Sequence, residues 1–170
     1  MSEIKLRALE HRDIGFLDEI ENDWDLWYLG QTQQPFSSRV LLNYISNADK
    51  DIYVAKQFRF AIEIIENQKL IGFIDLYDFD PKNRRAGVGI IIHRQYRNRS
   101  YGKEALRQLI RYAFEILYLH QLYAEIMPDN TASIRLFESF GFEKSGTLKD
   151  WYFNGTDYKD GLIYQLIRKM

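Results

Sequence analysis

The most informative part of this chain is the stretch Tyr96-Arg97-Asn98-Arg99-Ser100-Tyr101-Gly102-Lys103-Glu104-Ala105. It directly follows an apolar strand pattern, Val88–Ile92, and it leads into an amphipathic helical pattern at residues 103–118. The first N–H groups of a helix lack an intrahelical partner, and the helix dipole adds a partial positive charge there. A short loop of small and basic residues at this place therefore predicts an anion site that suits a phosphate or pyrophosphate.

Taken alone, this loop is weak evidence, because a strand, a turn and a helix containing arginine and glycine occur together in many proteins. The order of the surrounding elements adds weight. Apolar periodicity and turn signals predict a single α/β domain over residues 1–170 with the order β-α-α-β-β-β-α-β-α-β-β. The predicted strands cover about residues 4–8, 58–65, 70–79, 86–92, 122–127, 142–148 and 162–169, and the predicted helices about 13–21, 37–45, 103–118 and 130–140.

Composition excludes several kinds of site. The chain has 170 residues, a formal net charge of −1 and no cysteine. The charge balance argues against nucleic-acid binding, and the lack of cysteine excludes disulfides, zinc–thiolate sites and a cysteine nucleophile. No metal site is expected, because His11, His93 and His120 are widely separated. No window has the length and apolarity of a membrane span, so no membrane association and a cytoplasmic location are expected.

A second block narrows the interpretation. Residues 130–142 read NTASIRLFESFGF, which resembles the Asn-x-x-(Ala/Ser)-x-x-(Leu/Ile)-Tyr-x-x-x-Gly-Phe pattern of the GNAT N-acetyltransferase superfamily. The first loop, Arg97-x-x-Ser100-x-Gly102, resembles the Gln/Arg-x-x-Gly-x-Gly/Ala loop of the same family, with one glycine replaced. The resemblance implies an α/β (α+β) domain with a mixed, mostly antiparallel sheet flanked by helices. Its strands would splay apart at the cofactor site.

This resemblance implies acetyl-CoA as co-substrate. The loop would bind the pyrophosphate, the strand Ile90–Ile92 would offer backbone groups to pantetheine, and the Asn130 amide would reach pantetheine. Asn130 could equally act as a plain helix cap. The predicted cofactor residues are Ile90, Ile91, Ile92, Arg97, Asn98, Arg99, Ser100, Tyr101, Gly102, Lys103, Asn130, Ser133, Arg135 and Phe137.

The catalytic groups are less clearly marked. Many relatives place a tyrosine, which acts as the acid, where this chain has Phe137; Tyr152 or a water is the substitute expected here. A backbone N–H near Ile91 would stabilise the developing oxyanion. Asp75 and Asp78 are the candidate bases, with Glu63 as a weaker one. On a regular strand Asp75 and Asp78 would face opposite sides, so only one would reach the cleft unless a bulge intervenes.

The acceptor is predicted only as a primary amine, on a small molecule or a protein N-terminus. The chain resembles spermidine N-acetyltransferases most, including the segment 151–158 (WYFNGTDY), and ribosomal-protein N-terminal acetyltransferases next. The entrance segment 27–35 (WYLGQTQQP) has glutamine where spermidine-type enzymes are acidic, so spermidine is not expected to be preferred. Trp24, Trp27 and Tyr28 suit either a cation–π contact or ordinary packing. The rival interpretation is a non-catalytic acyl-CoA-binding module, and a homo-oligomer is one option.

Overall fold

A computed structural model describes residues 3–29 and 32–169. Gly30 and Gln31 of the predicted entrance segment lie outside the described residues. The strands are β1 Ile4–Ala8, β2 Phe58–Ile64, β3 Lys69–Asp80, β4 Arg85–Ile92, β5 Gln121–Ile126, β6 Glu143–Phe153 and β7 Tyr158–Ile167. The helices are α1 Ile14–Glu21, α2 Ser38–Ser46, α3 Ile52–Ala55, α4 Tyr101–Arg111 and α5 Thr131–Glu138.

The seven strands form one mixed sheet in the order β1-β2-β3-β4-β5-β7-β6. Every neighbouring pair is antiparallel except β4 and β5, which are parallel. The predicted fold class and element order are confirmed. The sequence pattern missed the short helix α3 and the 3₁₀ turn Trp24–Leu29, because each is too short to show a period.

Each face of the sheet is covered by a separate apolar cluster. On one face, Leu106 and Leu109 of α4 are completely buried against the sheet. On the other face, Leu17 of α1 and Leu41 of α2 pack around Phe73 of β3. The helix α4 begins at Tyr101, two residues before the predicted start, and continues as π-helix over Tyr112–Ile116. This arrangement places the N-terminus of α4 at the end of β4, as the loop prediction requires.

A bulge near the end of β3 changes the prediction for the two aspartates. The pairing of β3 with β4 shifts register between Tyr77 and Asp80, and Asp78 has a φ of 48°. The strand is therefore irregular at Asp78, and simple alternation from Asp75 does not hold. The two carboxylates have different partners: Asp75 is bound by Arg59, and Asp78 accepts a hydrogen bond from Tyr123.

Candidate active site

The strands β4 and β5 separate in the middle of the sheet. Their pairing consists of Arg85 with Gln121, Ala86 with Leu122 and Gly87 with Tyr123, and it ends there. Both strands continue beyond the last pair, β4 to Ile92 and β5 to Ile126. The backbone groups of β4 and β5 that face the resulting opening are free of ladder bonds between these two strands. The splayed strands predicted from the sequence are confirmed.

A cavity of about 550 Å³ lies at this opening. Its lining combines the end of β4, the loop before α4 and the start of α5: Tyr28, Ile90, Ile91, Ile92, Tyr96, Arg97, Asn98, Ser100, Tyr101, Gly102, Lys103, Asp129, Asn130, Ala132, Ser133 and Leu136. The structure thus brings together most of the predicted cofactor residues. Sequence reasoning did not name Tyr28, Asp129 or Leu136 for this wall.

Three predicted cofactor residues do not line the cavity. Phe137 is 2% exposed and packs edge-to-face against Phe142, with ring centroids 4.9 Å apart. Arg135 is exposed on α5, and Arg99 lies beside the cavity with its guanidinium over the Tyr96 ring. Phe137 and Arg135 are therefore left out of the cofactor site that we propose below. Phe137 occupies the expected motif position on α5, but its side chain packs in the core.

The loop before α4 has the backbone shape of an anion cradle. Asn98 has a φ of 60°, and Ser100, the N-cap of α4, has a φ of 63°. Left-handed residues in such a turn direct successive N–H groups toward one point. Glycine adopts this conformation without strain. This explains why the family pattern has glycine at the position that Ser100 occupies in this chain.

Replacement of Ser100 by glycine is expected to raise the free energy of unfolding by about 0.5–1 kcal/mol, because it removes the left-handed strain of a residue with a Cβ. Urea unfolding measures the change. Ser145 lies in the edge strand β6 outside the left-handed region, so Ser145→Gly should lower stability instead. Equal losses in both variants would contradict the strain argument.

Positive charge in the loop is not neutralised by carboxylates. Within residues 3–29 and 32–169, Arg97, Arg99 and Lys103 make no ion pair; Arg97 Nε donates to the Ile92 carbonyl at 2.9 Å. Arg94, in contrast, pairs with Asp23 at 2.9 Å. The N-terminus of α4 with Arg97 and Lys103 forms an anion-attracting wall of the cavity, and Arg99 adds positive charge beside it.

Asn130 caps α5 and also borders the cavity. Its Oδ1 accepts a hydrogen bond from the Ser133 N–H at 3.2 Å, as expected for an N-cap. In the described part of the chain, its Nδ2 has no protein acceptor. The two roles weighed from the sequence, cap and ligand donor, are therefore compatible in one side chain.

Asp75 is held by an arginine. Arg59 donates through Nε and a terminal nitrogen to the two Asp75 oxygens, at 2.8 and 2.9 Å, and it also bonds to Glu21 of α1. Glu63 is likewise enclosed in ion pairs, with Arg7 at 2.5 Å and Lys5 at 3.0 Å, near the β1 edge. Both carboxylates are engaged as structural anions.

Asp78 is exposed and accepts a long hydrogen bond, 3.3 Å, from the Tyr123 hydroxyl. Burial and the Asp78 carboxylate raise the pKa of Tyr123 to about 12. Tyr77, edge-to-face with Tyr123 at 5.9 Å, also has a raised pKa, chiefly because it is buried. Both hydroxyls are therefore neutral at ordinary pH.

A third carboxylate, Glu125 of β5, was not predicted. It is half-buried and accepts hydrogen bonds from the Trp151 indole at 2.8 Å and from the Tyr152 hydroxyl. Burial and this carboxylate raise the pKa of Tyr152. A raised pKa makes Tyr152 a poor proton donor to a thiolate, which weakens its predicted role as acid. The signal for Glu125 was its position on the polar side of an alternating strand near the second motif.

The entrance segment is only partly described. Trp27 donates its indole N–H to the Glu21 carbonyl at 2.7 Å, and its ring lies 5.6 Å from that of Trp24. Trp24 is 73% exposed, so it is not a packed core residue. Tyr28 borders the cavity.

None of the helices within residues 3–29 and 32–169 combines the length and apolarity needed to cross a membrane. These residues also contain no group of three or more histidine, cysteine, aspartate or glutamate side chains that could hold a metal ion.

Comparisons with known proteins agree with this geometry. The spermidine N(1)-acetyltransferase of Vibrio cholerae serotype O1 is 28% identical over 162 residues, which cover 94% of this chain and 90% of the relative. A crystal structure of spermidine N-acetyltransferase from Vibrio cholerae in complex with CoA and spermine matches with a TM-score of 0.86 and 25% identity, covering 98% of this chain and 96% of that one. A dodecameric structure of the Vibrio cholerae enzyme matches with a TM-score of 0.81 and 26% identity, over 98% and 95% of the two chains.

The family assignment rests on a model that covers most of the chain. The acetyltransferase (GNAT) domain model matches residues 3–143. These residues include both sequence motifs, the split between β4 and β5 and all of α5. The chain therefore belongs to the GNAT acetyltransferase family and is an N-acetyltransferase that uses acetyl-CoA.

Proposed function

We propose that this enzyme acetylates the primary amine of a small cationic molecule or of a protein N-terminus, and that the cavity between β4 and α5 is its acetyl-CoA site. The observation that supports this most is the position of the three unpaired cations. Arg97 and Lys103 line the cavity beside the split in the sheet, and Arg99 lies next to it with its guanidinium over the Tyr96 ring. A pyrophosphate is the anion that this wall suits.

Each part of the site has one task in this proposal. The N–H groups of residues 97–103 and the nearby cations bind the phosphates. The β4 backbone at Ile90–Ile92, beyond its last pair with β5, and the Asn130 amide bind the pantetheine arm. Acetyl-CoA supplies an activated acetyl group as a thioester, and its thiol has a pKa near that of cysteine, about 8.5, so the thiolate leaves without a strong acid. Phe137 at the motif position is compatible with such a reaction.

The acceptor is proposed to enter on the face of the sheet opposite α4. Side chains of Tyr77 and Tyr123 lie on that face, and both aromatic rings suit a cationic amine. Some relatives are spermidine acetyltransferases, so polyamines belong in the set of tested acceptors. The entrance segment carries glutamine where spermidine-type enzymes are acidic. We therefore still expect that spermidine is not preferred over simpler amines or peptide N-termini.

Thiol release on mixing the protein with acetyl-CoA and a panel of amines tests this function. The panel contains spermidine, short alkylamines, free amino acids and peptides with different N-terminal residues, and mass spectrometry identifies the acetylated product. Activity on at least one primary amine is expected. Binding of acetyl-CoA with no acetylation of any amine would favour the acyl-CoA-binding module instead.

Asn130 variants separate its two roles. Asn130→Ala should lower the free energy of unfolding by about 1 kcal/mol through the lost cap. It should also weaken acetyl-CoA binding by about 1–2 kcal/mol through the lost donor. Asn130→Asp keeps the cap oxygen but removes the donor, so it should lose only acetyl-CoA affinity.

Calorimetric titration with acetyl-CoA and urea unfolding provide the two measurements. Ser37, the N-cap of α2, accepts from the Val40 N–H at 3.3 Å and serves as the matched cap control. Ser37→Ala should lose stability without any change in acetyl-CoA affinity. Unchanged acetyl-CoA affinity in Asn130→Asp would leave Asn130 as a cap alone.

We also propose that the chain forms a homo-oligomer and acts in the cytoplasm. A dodecameric relative with the same fold supports assembly. The sheet has β1 and β6 as its outer strands, and β6 carries the exposed side chains Trp151 and Phe153. Light scattering coupled to gel filtration tests the assembly, and a monomer at all concentrations would refute it.

A further inference from the structure

Two carboxylates lie on either side of the split in the sheet, Asp75 on β3 and Glu125 on β5. Asp75 of β3 pairs with Gly89 of β4, and the last parallel pair joins Gly87 with Tyr123 of β5. Gly89 and Glu125 each lie two residues beyond that pair, about 7 Å along their strands. Asp75, Gly89 and Glu125 therefore lie at the same level along their strands, with the opening between Gly89 and Glu125, and we call these three residues the row.

The three residues of this row share a face. Leu122, Ala124 and Ile126 of β5 are buried in the cluster on the α4 side, so Tyr123 and Glu125 point to the opposite face. Tyr77 lies on that opposite face too. A Cβ added at Gly87 would point to this face and would lie 2.3 Å from the Tyr77 ring, so the ring covers the glycine there.

Gly89 leaves a hollow in the middle of the row. A Cβ added at Gly89 would meet only one atom of the described residues within 4 Å, the Tyr77 Cε1 at 3.9 Å. The position is not in the left-handed region, so backbone conformation does not require glycine there. The missing side chain instead provides space between Asp75 and Glu125, walled by Tyr77.

The two carboxylates differ in charge compensation. Both Asp75 oxygens are bound by the Arg59 guanidinium. Glu125 receives only neutral donors, and both of them, Trp151 and Tyr152, bond to Oε1. Along residues 3–29 and 32–169, no cation pairs with Glu125, and its Oε2 has no protein donor. Lys159, which is the strand partner of Tyr152, is bound to Asp129.

We propose that Glu125 is the group that binds the acceptor ammonium, through Oε2 in the hollow above Gly89, and that it takes the proton that frees the amine for attack. Trp151 and Tyr152 are positioning residues that fix Oε1. Among the acceptors of the proposed function, this favours a primary alkylamine cation whose carbon next to nitrogen is unbranched over a peptide N-terminus that carries a side chain, because the hollow spans a single glycine. This proposal rests on the proposed acetyltransferase function.

The ammonium gives one proton to Glu125 and becomes a neutral amine with a free electron pair. The amine nitrogen forms a bond to the acetyl carbonyl carbon, the carbon–sulfur bond breaks, and its electron pair leaves with sulfur. The nitrogen loses a second proton, which the sulfur takes to become a thiol. Glu125 finally releases its proton to water.

The other candidates suit this role less well. Asp75 already neutralises Arg59, and Asp78 is exposed beyond the bulge. The titratable groups around Glu125 are Tyr77 and Asp78 of β3, Tyr123 of its own strand, and Tyr152 of β6. The pKa of each of these three tyrosines is raised, chiefly by burial, so the hydroxyls remain protonated between pH 6 and 9.

The test compares Glu125→Gln with wild type for the best amine of the panel. We expect kcat/KM to fall by at least about 100-fold at pH 7, the range for a lost general base. The deficit should shrink about tenfold for each pH unit up to pH 9, because the neutral fraction of an amine with a pKa near 10 grows at that rate. Calorimetry in the presence of CoA, which carries no acetyl group, should show weaker binding of the amine cation and an unchanged CoA affinity.

Glu138 provides the matched control. It is a carboxylate on α5 that accepts a hydrogen bond from a tyrosine, Tyr164, at 3.3 Å, away from the hollow. Glu138→Gln should keep wild-type kcat/KM at every pH. Gly89→Val should fill the hollow and raise the KM for the amine at least tenfold, with acetyl-CoA affinity within threefold of wild type.

A double-mutant cycle separates the positioning role of Tyr152 from a role as acid. Tyr152→Phe alone should lower kcat/KM about five- to twentyfold, and it should have no further effect in the Glu125→Gln background. Independent, multiplicative losses would assign Tyr152 to proton donation and not to positioning of Glu125.

The outcomes are distinguishable from failure of the function itself. A wild-type protein that acetylates no amine refutes the proposed function. An active wild type with an equally active Glu125→Gln variant, or a deficit that is constant from pH 6 to 9, refutes the role of Glu125 alone. Loss of CoA affinity or of the folded circular-dichroism spectrum in Glu125→Gln, with Gly89→Val unaffected in KM, would also overturn it.

Discussion

Replacement of Gly102 by aspartate is expected to abolish the stabilisation that acetyl-CoA gives to the folded protein. A Cβ at Gly102 would lie 3.7 Å from side-chain atoms of Ile90 and Ile92 and 3.8 Å from Leu136, all of which line the cavity. The backbone therefore has room for a Cβ, and the carboxylate would stand at the cavity wall. Two unit charges about 5 Å apart repel by about 3 kcal/mol at an effective dielectric constant near 20.

This repulsion corresponds to acetyl-CoA binding that is more than about 100-fold weaker. Thermal melts with and without acetyl-CoA measure it: wild type should gain several degrees at saturating ligand, and Gly102→Asp should gain none. Gly146→Asp is the control, because a Cβ there meets nothing within 4 Å and the residue lies on β6. Equal ligand-induced shifts in wild type and Gly102→Asp would remove the loop from the cofactor site.

Replacement of Arg7 by methionine is expected to lower the free energy of unfolding by about 3 kcal/mol, because it leaves two buried carboxylates without their main partner. Arg7 bonds to Asp13 at 2.7 and 2.9 Å and to Glu63 at 2.5 Å. Asp13 is 3% exposed and Glu63 is fully buried. Urea unfolding at pH 7 measures the loss.

Because of the same network, the free energy of unfolding depends on pH. Burial, the largest single effect, raises the pKa of Asp13 and of Glu63, but the hydrogen bonds and positive charges of Arg7 and their other partners together outweigh it and lower both pKa values. A lowered pKa gives stability that is complete above the unfolded pKa, about 4, and that is lost as the pH falls through the folded value. The gap between wild type and Arg7→Met should therefore narrow from pH 6 to pH 3.

Arg12 serves as the control for this network. Its side chain is 51% exposed and lies 3.3 Å from Glu63, so Arg12→Met should cost less than about 1 kcal/mol. A loss in Arg7→Met that is equally small, or one that does not change with pH, would show that the network contributes little to stability.

The loop and the second motif show how far local sequence information reaches. Ser37 and Asn130 were predictable as helix caps, and both caps form, because a cap depends on residues three positions apart. The anion site at the N-terminus of α4 is a prediction of the same local kind and stays a prediction. Phe137 illustrates the limit: its motif position was identified, but whether its ring faces the cavity or the core depends on Phe142 and the packing of α5.

The sequence alone determined the order of elements, the family and the lack of cysteine chemistry, and it predicted the cofactor loop, since each of these depends on neighbouring residues or on composition. Only the tertiary structure decided which carboxylate is left without a cation partner. Asp75 and Arg59 lie 16 positions apart, and Glu125 and Tyr152 lie 27 apart. Strand pairing brings these residues together, and no local pattern shows which carboxylate an arginine will neutralise and which will meet only neutral donors. That difference decides where an amine can bind, because a carboxylate that already holds a cation attracts a second one far less.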